Sequence, residues 1–130
     1  MTKRTFEFKK TYEEIDIADK TYKVDISDDK IIGYQESLEK FHKEVNKFKD
    51  VKTEDLTNKE LKQLYADMRG IMRGVVDELL EDGAYDELYT AAGGSLMNMI
   101  DLVEYLGEVI REHQKDKLEQ RKNKYLAGKK

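Results

Sequence analysis

The chain has 130 residues, of which 40% are charged and 38% hydrophobic, and its net charge is −4. This length suits one domain, residues 1–130, with a thin apolar core and much solvated surface. The sequence has no cysteine, which excludes disulfides and thiolate chemistry, and no apolar run reaches the ~20 residues that cross a bilayer. We therefore expect a cytoplasmic protein without membrane contact.

The N-terminal residues 1–28 have the pattern of a small β element. Apolar and charged residues alternate over 14–18 and 21–26, as on strands with one buried face. The polar pair Asp19-Lys20 predicts a tight turn between them, and Phe6 and Phe8 predict a third strand. Because a two-stranded hairpin is unstable alone, we expect its apolar face to dock on the helices or on another chain.

The first helix is predicted over about 30–49. Its apolar residues recur every three or four positions from Ile31 to Phe48, and Ser27 stands at the N-cap position. The apolar stripe is only one face wide, and fewer than three heptads are present. We therefore expect packing within the domain and not a free coiled coil.

The second helix is the predicted centre of the core. Thr57 and Glu60 have the spacing of a capping box at its start, and its apolar face is the broadest in the chain. Gly83 is expected to end this helix. Gly70 and Gly74 lie one turn apart, which indicates either the close approach of another helix or no structural role.

Two more helices follow, a short one over 84–92 and a last one after Gly93-Gly94-Ser95. The last helix presents Leu96 to Ile110 as its apolar face, widened by Met97 and Tyr105. Beyond Ile110 it has almost no apolar residue, so 111–130 is a basic tail, either helical or disordered. The predicted fold class is α+β, mainly α: an N-terminal β-hairpin (1–28) docked on a bundle of three to four helices (29–110).

Charge is distributed unevenly along the chain. Between Arg73 and Arg111 the sequence has nine acidic residues and no lysine or arginine, whereas the tail after Arg111 is basic. Charge runs usually solvate helix faces. Alternatively, the basic end could meet the acidic middle of a neighbouring subunit, and the thin core with an unsupported hairpin also favours a homo-oligomer.

We predict no enzymatic activity, no metal and no cofactor. Glu39 and His42 have the spacing of one half of a helical di-metal site, but Ile110 stands where the glutamate before His113 would complete it. No phosphate-binding glycine loop and no nucleophile motif is present. Nucleic-acid binding is not expected, because the chain is acidic overall and has no basic recognition helix.

The order of segments resembles the small tail assembly chaperones of siphophages from Gram-positive hosts. The similar stretches are Lys20 to Asp28, running into the first helix, then Gly83 to Tyr89, and Arg121 to Leu126. The resemblance implies a non-enzymatic protein that binds the tape measure protein and helps recruit tail tube subunits in the host cytoplasm. It also implies that the chaperone leaves before the virion is complete.

The partner-binding residues are predicted near the aromatic and methionine side chains after Gly83 and in the basic tail. They are Tyr85, Tyr89, Met97, Met99, Arg111, Lys115, Arg121, Lys122, Lys124 and Tyr125. Methionine adapts to varied helical partners, and the basic residues would supply salt-sensitive steering. The alternative function is a small phage or bacterial regulatory protein, such as an inhibitor or antitoxin, that binds one protein target.

Overall fold

The computed structural model describes the backbone of residues 3–128 and the side chains of residues 3–115. Within that range, a two-stranded antiparallel hairpin precedes four α-helices and one short 3-10 turn at Thr53–Asp55. The strands are β1 (Tyr12–Ile17) and β2 (Lys20–Asp25), and the helices are α1 (Asp28–Asp50), α2 (Asn58–Leu79), α3 (Ala84–Ala91) and α4 (Leu96–Gly128). The predicted fold class, α+β and mainly α, is confirmed.

The hairpin turns one residue earlier than predicted. Ile17 pairs with Lys20, so the turn residues are Ala18 and Asp19, and Lys20 belongs to β2. Both turn residues have left-handed backbone angles, with φ of 50° and 66°. Two consecutive left-handed residues are typical of a type I′ turn, whose twist matches that of the flanking strands.

The predicted third strand at Phe6 and Phe8 is wrong. Residues 3–10 form no strand, and the two phenyl rings are 80% and 89% exposed, contacting each other edge-on at 5.0 Å. Backbone pairing beyond β1 stops at Thr11, whose carbonyl accepts the Ile26 N–H at 2.8 Å. The alternation gave this segment an apolar face, but within residues 3–115 no surface covers that face.

The start of α2 is as predicted, whereas its end is not. The Thr57 hydroxyl accepts the Glu60 N–H and the Glu60 carboxylate accepts the Thr57 N–H, which completes the capping box. The helix ends at Leu79, and Gly83, with φ of 86°, precedes α3 instead of ending α2. The carboxylate of Asp77 accepts the Tyr85 N–H at 2.9 Å, so the last turn of α2 caps the first turn of α3.

One apolar cluster joins the hairpin to all four helices. The apolar spacing of the second and last helices predicts six buried residues at its centre, and all six are at most 1% exposed, which confirms that prediction: Met72, Val76, Leu79, Ile100, Val103 and Leu106. Among the described side chains, every fully buried residue is apolar or aromatic, and none is charged. The stability of this core therefore rests on apolar burial and shape.

The hairpin and α1 bury their apolar faces inside their own chain. Tyr22 and Val24 of β2 and Tyr34 and Phe41 of α1 are at most 3% exposed. A face that is buried within its own chain is not free to contact a second copy. The homo-oligomer that the unsupported hairpin favours would therefore use other surfaces, and it stays a prediction.

Gly70 and Gly74 are not points of close helix approach in the described part of the chain. A Cβ atom at either position would meet no atom within 4 Å. The tightest approach to a helix glycine is at Gly33 of α1, where a Cβ would lie 3.1 Å from the Glu78 carboxylate of α2. At Gly107 of α4 a Cβ would make an ordinary contact, 3.5 Å from the Leu38 side chain of α1.

Candidate partner-binding surface

Two of the predicted partner-binding residues belong to the core. Tyr85 is 2% exposed and Met99 is 1% exposed. Met99 follows the buried face of α4 together with Ile100 and Val103, so its helical position decides its burial. We reassign both residues from the surface to the packing of the bundle.

Tyr85 is held by its neighbours on α2 and α3. Its ring stacks on that of Tyr89 with centroids 5.4 Å apart, and the Arg73 guanidinium lies 5.2 Å from its centroid. Arg73 is also paired with Asp86 at 3.1 Å. Burial raises the pKa of Tyr85. Tyr85 thus positions Tyr89, which is only partly buried and keeps one edge at the surface.

Met97 lies at the surface, as a partner-binding residue requires. It is 50% exposed on the first turn of α4. Tyr105, two turns further along, is 52% exposed. The sequence placed both residues on a widened apolar face, and that expectation is wrong, because the buried face of α4 is narrower than its apolar composition indicates.

Tyr105 shares its side of α4 with three exposed carboxylates. We call the set Asp101, Glu104, Tyr105 and Glu108 the acidic ridge. With His42 and Arg111 it borders a shallow pocket of about 380 Å³. The sequence pattern places Tyr105 on the apolar face and does not predict it as a binding residue. Its spacing of four residues from Asp101 and three from Glu108 places all three on one helix face.

A second surface, on the first half of α2, has the opposite charge. Seven side chains line a shallow groove of about 880 Å³, and three of them are cations: Lys59, Leu61, Lys62, Gln63, Tyr65, Ala66 and Arg69. None of the described lining residues is a carboxylate. Tyr65 forms one wall, with its ring edge-on to Phe48 at 5.5 Å. We call this surface the basic groove.

The acidic segment between residues 77 and 108 is partly used within the chain. Lys20 lies 3.2 Å from the Glu81 carboxylate and 3.0 Å from that of Glu87, which also accepts the Tyr22 hydroxyl at 3.2 Å. Hydrogen bonds from Lys20 and Tyr22 lower the pKa of Glu87, and the bonds to Glu87 and Glu81 raise that of Lys20. These residues fasten the hairpin to the helices.

The backbone of the basic tail is helical as far as Gly128, whereas its side chains are described only to Lys115. Arg111 and Lys115 are exposed on α4. The remaining predicted residues lie outside the described side chains: Arg121, Lys122, Lys124 and Tyr125. The predicted meeting of the tail with an acidic partner therefore stays a prediction.

In the described part of the chain, no group of three histidine or acidic side chains is placed to hold a metal ion. None of the helices in that range combines the length and apolar character that a membrane crossing needs. Compared with protein-family models, curated proteins and solved structures, the chain gives no match.

Proposed function

We propose that this protein is a non-enzymatic tail assembly chaperone. It binds apolar helical segments of a phage tape measure protein in the host cytoplasm and helps bring tail tube subunits to it. The proposal rests on the order of segments that resembles such chaperones, from Lys20 to Leu126. The alternative, a regulatory protein with a single target, is an outcome of the test below.

The observation that supports the proposal best is the exposure of Met97. Met97 is half exposed on the first turn of α4, so a partner that covers it would gain the free energy of burying its apolar surface. Its unbranched, polarizable side chain can fit apolar helices of different sequence. The partly exposed Tyr89, at the end of α3, offers an aromatic edge of the kind enriched in protein interfaces.

The neighbouring backbone fits a surface that adapts to its partner. Gly93 and Gly94, between Tyr89 and Met97, both have left-handed backbone angles, with φ of 72° and 69°. Glycine adopts these angles without steric cost. The connection between α3 and α4, residues 92–95, has no large side chain that would crowd a docked helix.

Co-expression with a phage tape measure protein, which the proposal expects to be encoded beside this chain, tests the proposal. We expect more of the long protein in the soluble fraction, and a complex that is recovered at low salt. Met97→Ser should lower the recovered complex, because it removes the apolar contact without touching the buried core.

Ile32→Ser is the matched control, since Ile32 is a similarly exposed apolar residue, at 58%, on α1. It should leave recovery near the wild-type level. If the long protein is no more soluble with this chain than without it, the chaperone function is refuted and the regulatory alternative takes its place.

A further inference from the structure

The acidic ridge and the basic groove are complementary to each other. Lys62, Ala66 and Arg69 follow one another on α2 at spacings of four and three residues, and Asp101, Tyr105 and Glu108 do the same on α4. In both helices the two charged residues are therefore ~10.5 Å apart along the axis, at ~1.5 Å per residue.

The centres of the two surfaces also match in size, because a large residue lies at one and a small residue at the other. Tyr105 is the large, half-exposed residue between the carboxylates Asp101 and Glu108. Ala66 is the small, exposed residue between the cations Lys62 and Arg69, where it lines the groove. A tyrosine ring placed over an alanine lets two helices approach closely enough for the flanking charges to pair.

Most charged side chains of the two surfaces form no ion pair with other residues of the described chain. Within residues 3–115, none of Lys62, Arg69, Asp101 and Glu108 forms an ion pair. Glu104 has a partner at the limit of contact, Lys49 at 3.8 Å, and Arg111 lies at one end of the ridge. The ridge still has an excess of negative charge, whereas the described groove residues have only positive charge.

We infer that the acidic ridge of one copy of this chain docks in the basic groove of a second copy. Because ridge and groove are different surfaces, each docked pair of copies leaves one ridge and one groove open. Such a contact is heterologous, so it grows into a ring or an open chain of subunits, unlike a two-fold dimer. This inference does not depend on the proposed function.

The contact should be weak and sensitive to salt. Two helix faces bury less than the ~1,200 Å² typical of stable interfaces, and exposed ion pairs are screened within ~10 Å at ~0.1 M salt. In sedimentation velocity we expect species larger than the monomer that increase with concentration. Raising the NaCl concentration from about 50 mM to about 500 mM should lower the association constant by roughly tenfold or more.

Two double variants test the pairing of the surfaces. Asp101→Asn with Glu108→Gln removes charge from the ridge only, and Lys62→Gln with Arg69→Gln removes it from the groove only. Each variant alone should sediment as a monomer, because every copy in the solution lacks the same one of the two charged surfaces. Mixed in equal amounts, they should form a dimer that grows no further, since one variant keeps the groove and the other keeps the ridge.

Glu39→Gln with Lys43→Gln is the control, because it removes two exposed charges from α1 and leaves both surfaces intact. It should associate like the wild type, and thermal melting should show that all three variants are folded. A wild type that stays monomeric at every concentration overturns the inference. So does association that survives in both surface variants, or a mixture of them that forms no dimer. A single-stranded DNA oligonucleotide is the probe for an alternative ligand. If it binds to the groove and the two surface variants form no dimer when mixed, the groove is a phosphate-binding surface instead.

Discussion

At the scale of single residues, burial decides what each side chain contributes. Leu79 is 0% exposed at the end of α2 and belongs to the apolar cluster that joins the hairpin to the helices. Leu79→Ala should lower the free energy of unfolding by about 2–5 kcal/mol, since truncating a buried leucine side chain leaves a cavity. Urea denaturation followed by circular dichroism measures this change. Ile32→Ala, at an exposed position, is the control and should shift stability by less than about 0.5 kcal/mol. Equal midpoint shifts for both variants would contradict the assignment of α2's buried face.

A buried phenol makes stability depend on alkaline pH. Burial, and then the negative charges of Asp25 and Glu78, raise the pKa of Tyr34 from 10.0 to about 12. Because the folded pKa lies above the unfolded one, the stabilising contribution is complete below pH 10.0 and is lost as the pH rises towards about 12. Burial raises the pKa values of Tyr22 and Tyr85 as well, so Tyr34 accounts for only part of the loss.

Tyr34→Phe should therefore flatten the fall in stability with rising pH. The comparison is made by urea denaturation of wild type and variant at about pH 8 and about pH 11, on either side of the ordinary tyrosine pKa. The difference in stability between the two pH values should be smaller for the variant. An equal difference in both proteins would show that the Tyr34 hydroxyl does not titrate differently in the folded state.

At the scale of the helices, the two glycines of α2 are a local weakness. Gly70 and Gly74 lie within the helix, and a Cβ at either one would meet no atom within 4 Å. Gly70→Ala and Gly74→Ala should each raise the free energy of unfolding by up to about 1 kcal/mol, because alanine has the higher helix propensity. Thermal melting measures the gain.

Gly83→Ala is the matched control and should have the opposite effect. Gly83 also has an open Cβ position, but its φ of 86° is strained for any residue with a side chain. A loss of stability on substitution of Gly70 or Gly74 would show that an unseen neighbour approaches α2 there.

Periodicity predicted the elements better than it predicted their limits. The capping box at Thr57 is a strong local signal, so α2 begins where expected. Its end depends on a tertiary hydrogen bond, from the Tyr85 N–H to Asp77, which the local sequence does not reveal. The shifted turn at Ala18 has a similar origin, since the docked face of the hairpin fixes the strand register.

At the scale of the molecule, the core was predictable but the surface was not. The six central core residues follow from apolar spacing on α2 and α4. Tyr85 and Met99 are apolar enough for either a core or an interface, and only the packing of α3 against α4 assigns them to the core. The basic groove and the acidic ridge were missed because their residues belong to ordinary charged helix faces. Tertiary packing decides which of these charged side chains stay exposed and unpaired, and a helix pattern does not show this packing.

The largely apolar core also affects how this fold can change in evolution. Among the described side chains no charge is buried, and few core positions are tied to one residue type by a side-chain hydrogen bond, as Tyr22 is by its bond to Glu87. Cores of this kind accept many simultaneous exchanges among leucine, isoleucine, methionine and valine, provided that the total volume is kept. Descendants of this chain can therefore lose most of their sequence identity while the hairpin and helices stay in place. Their common ancestry would then be recognised from the fold after the sequence similarity had been lost.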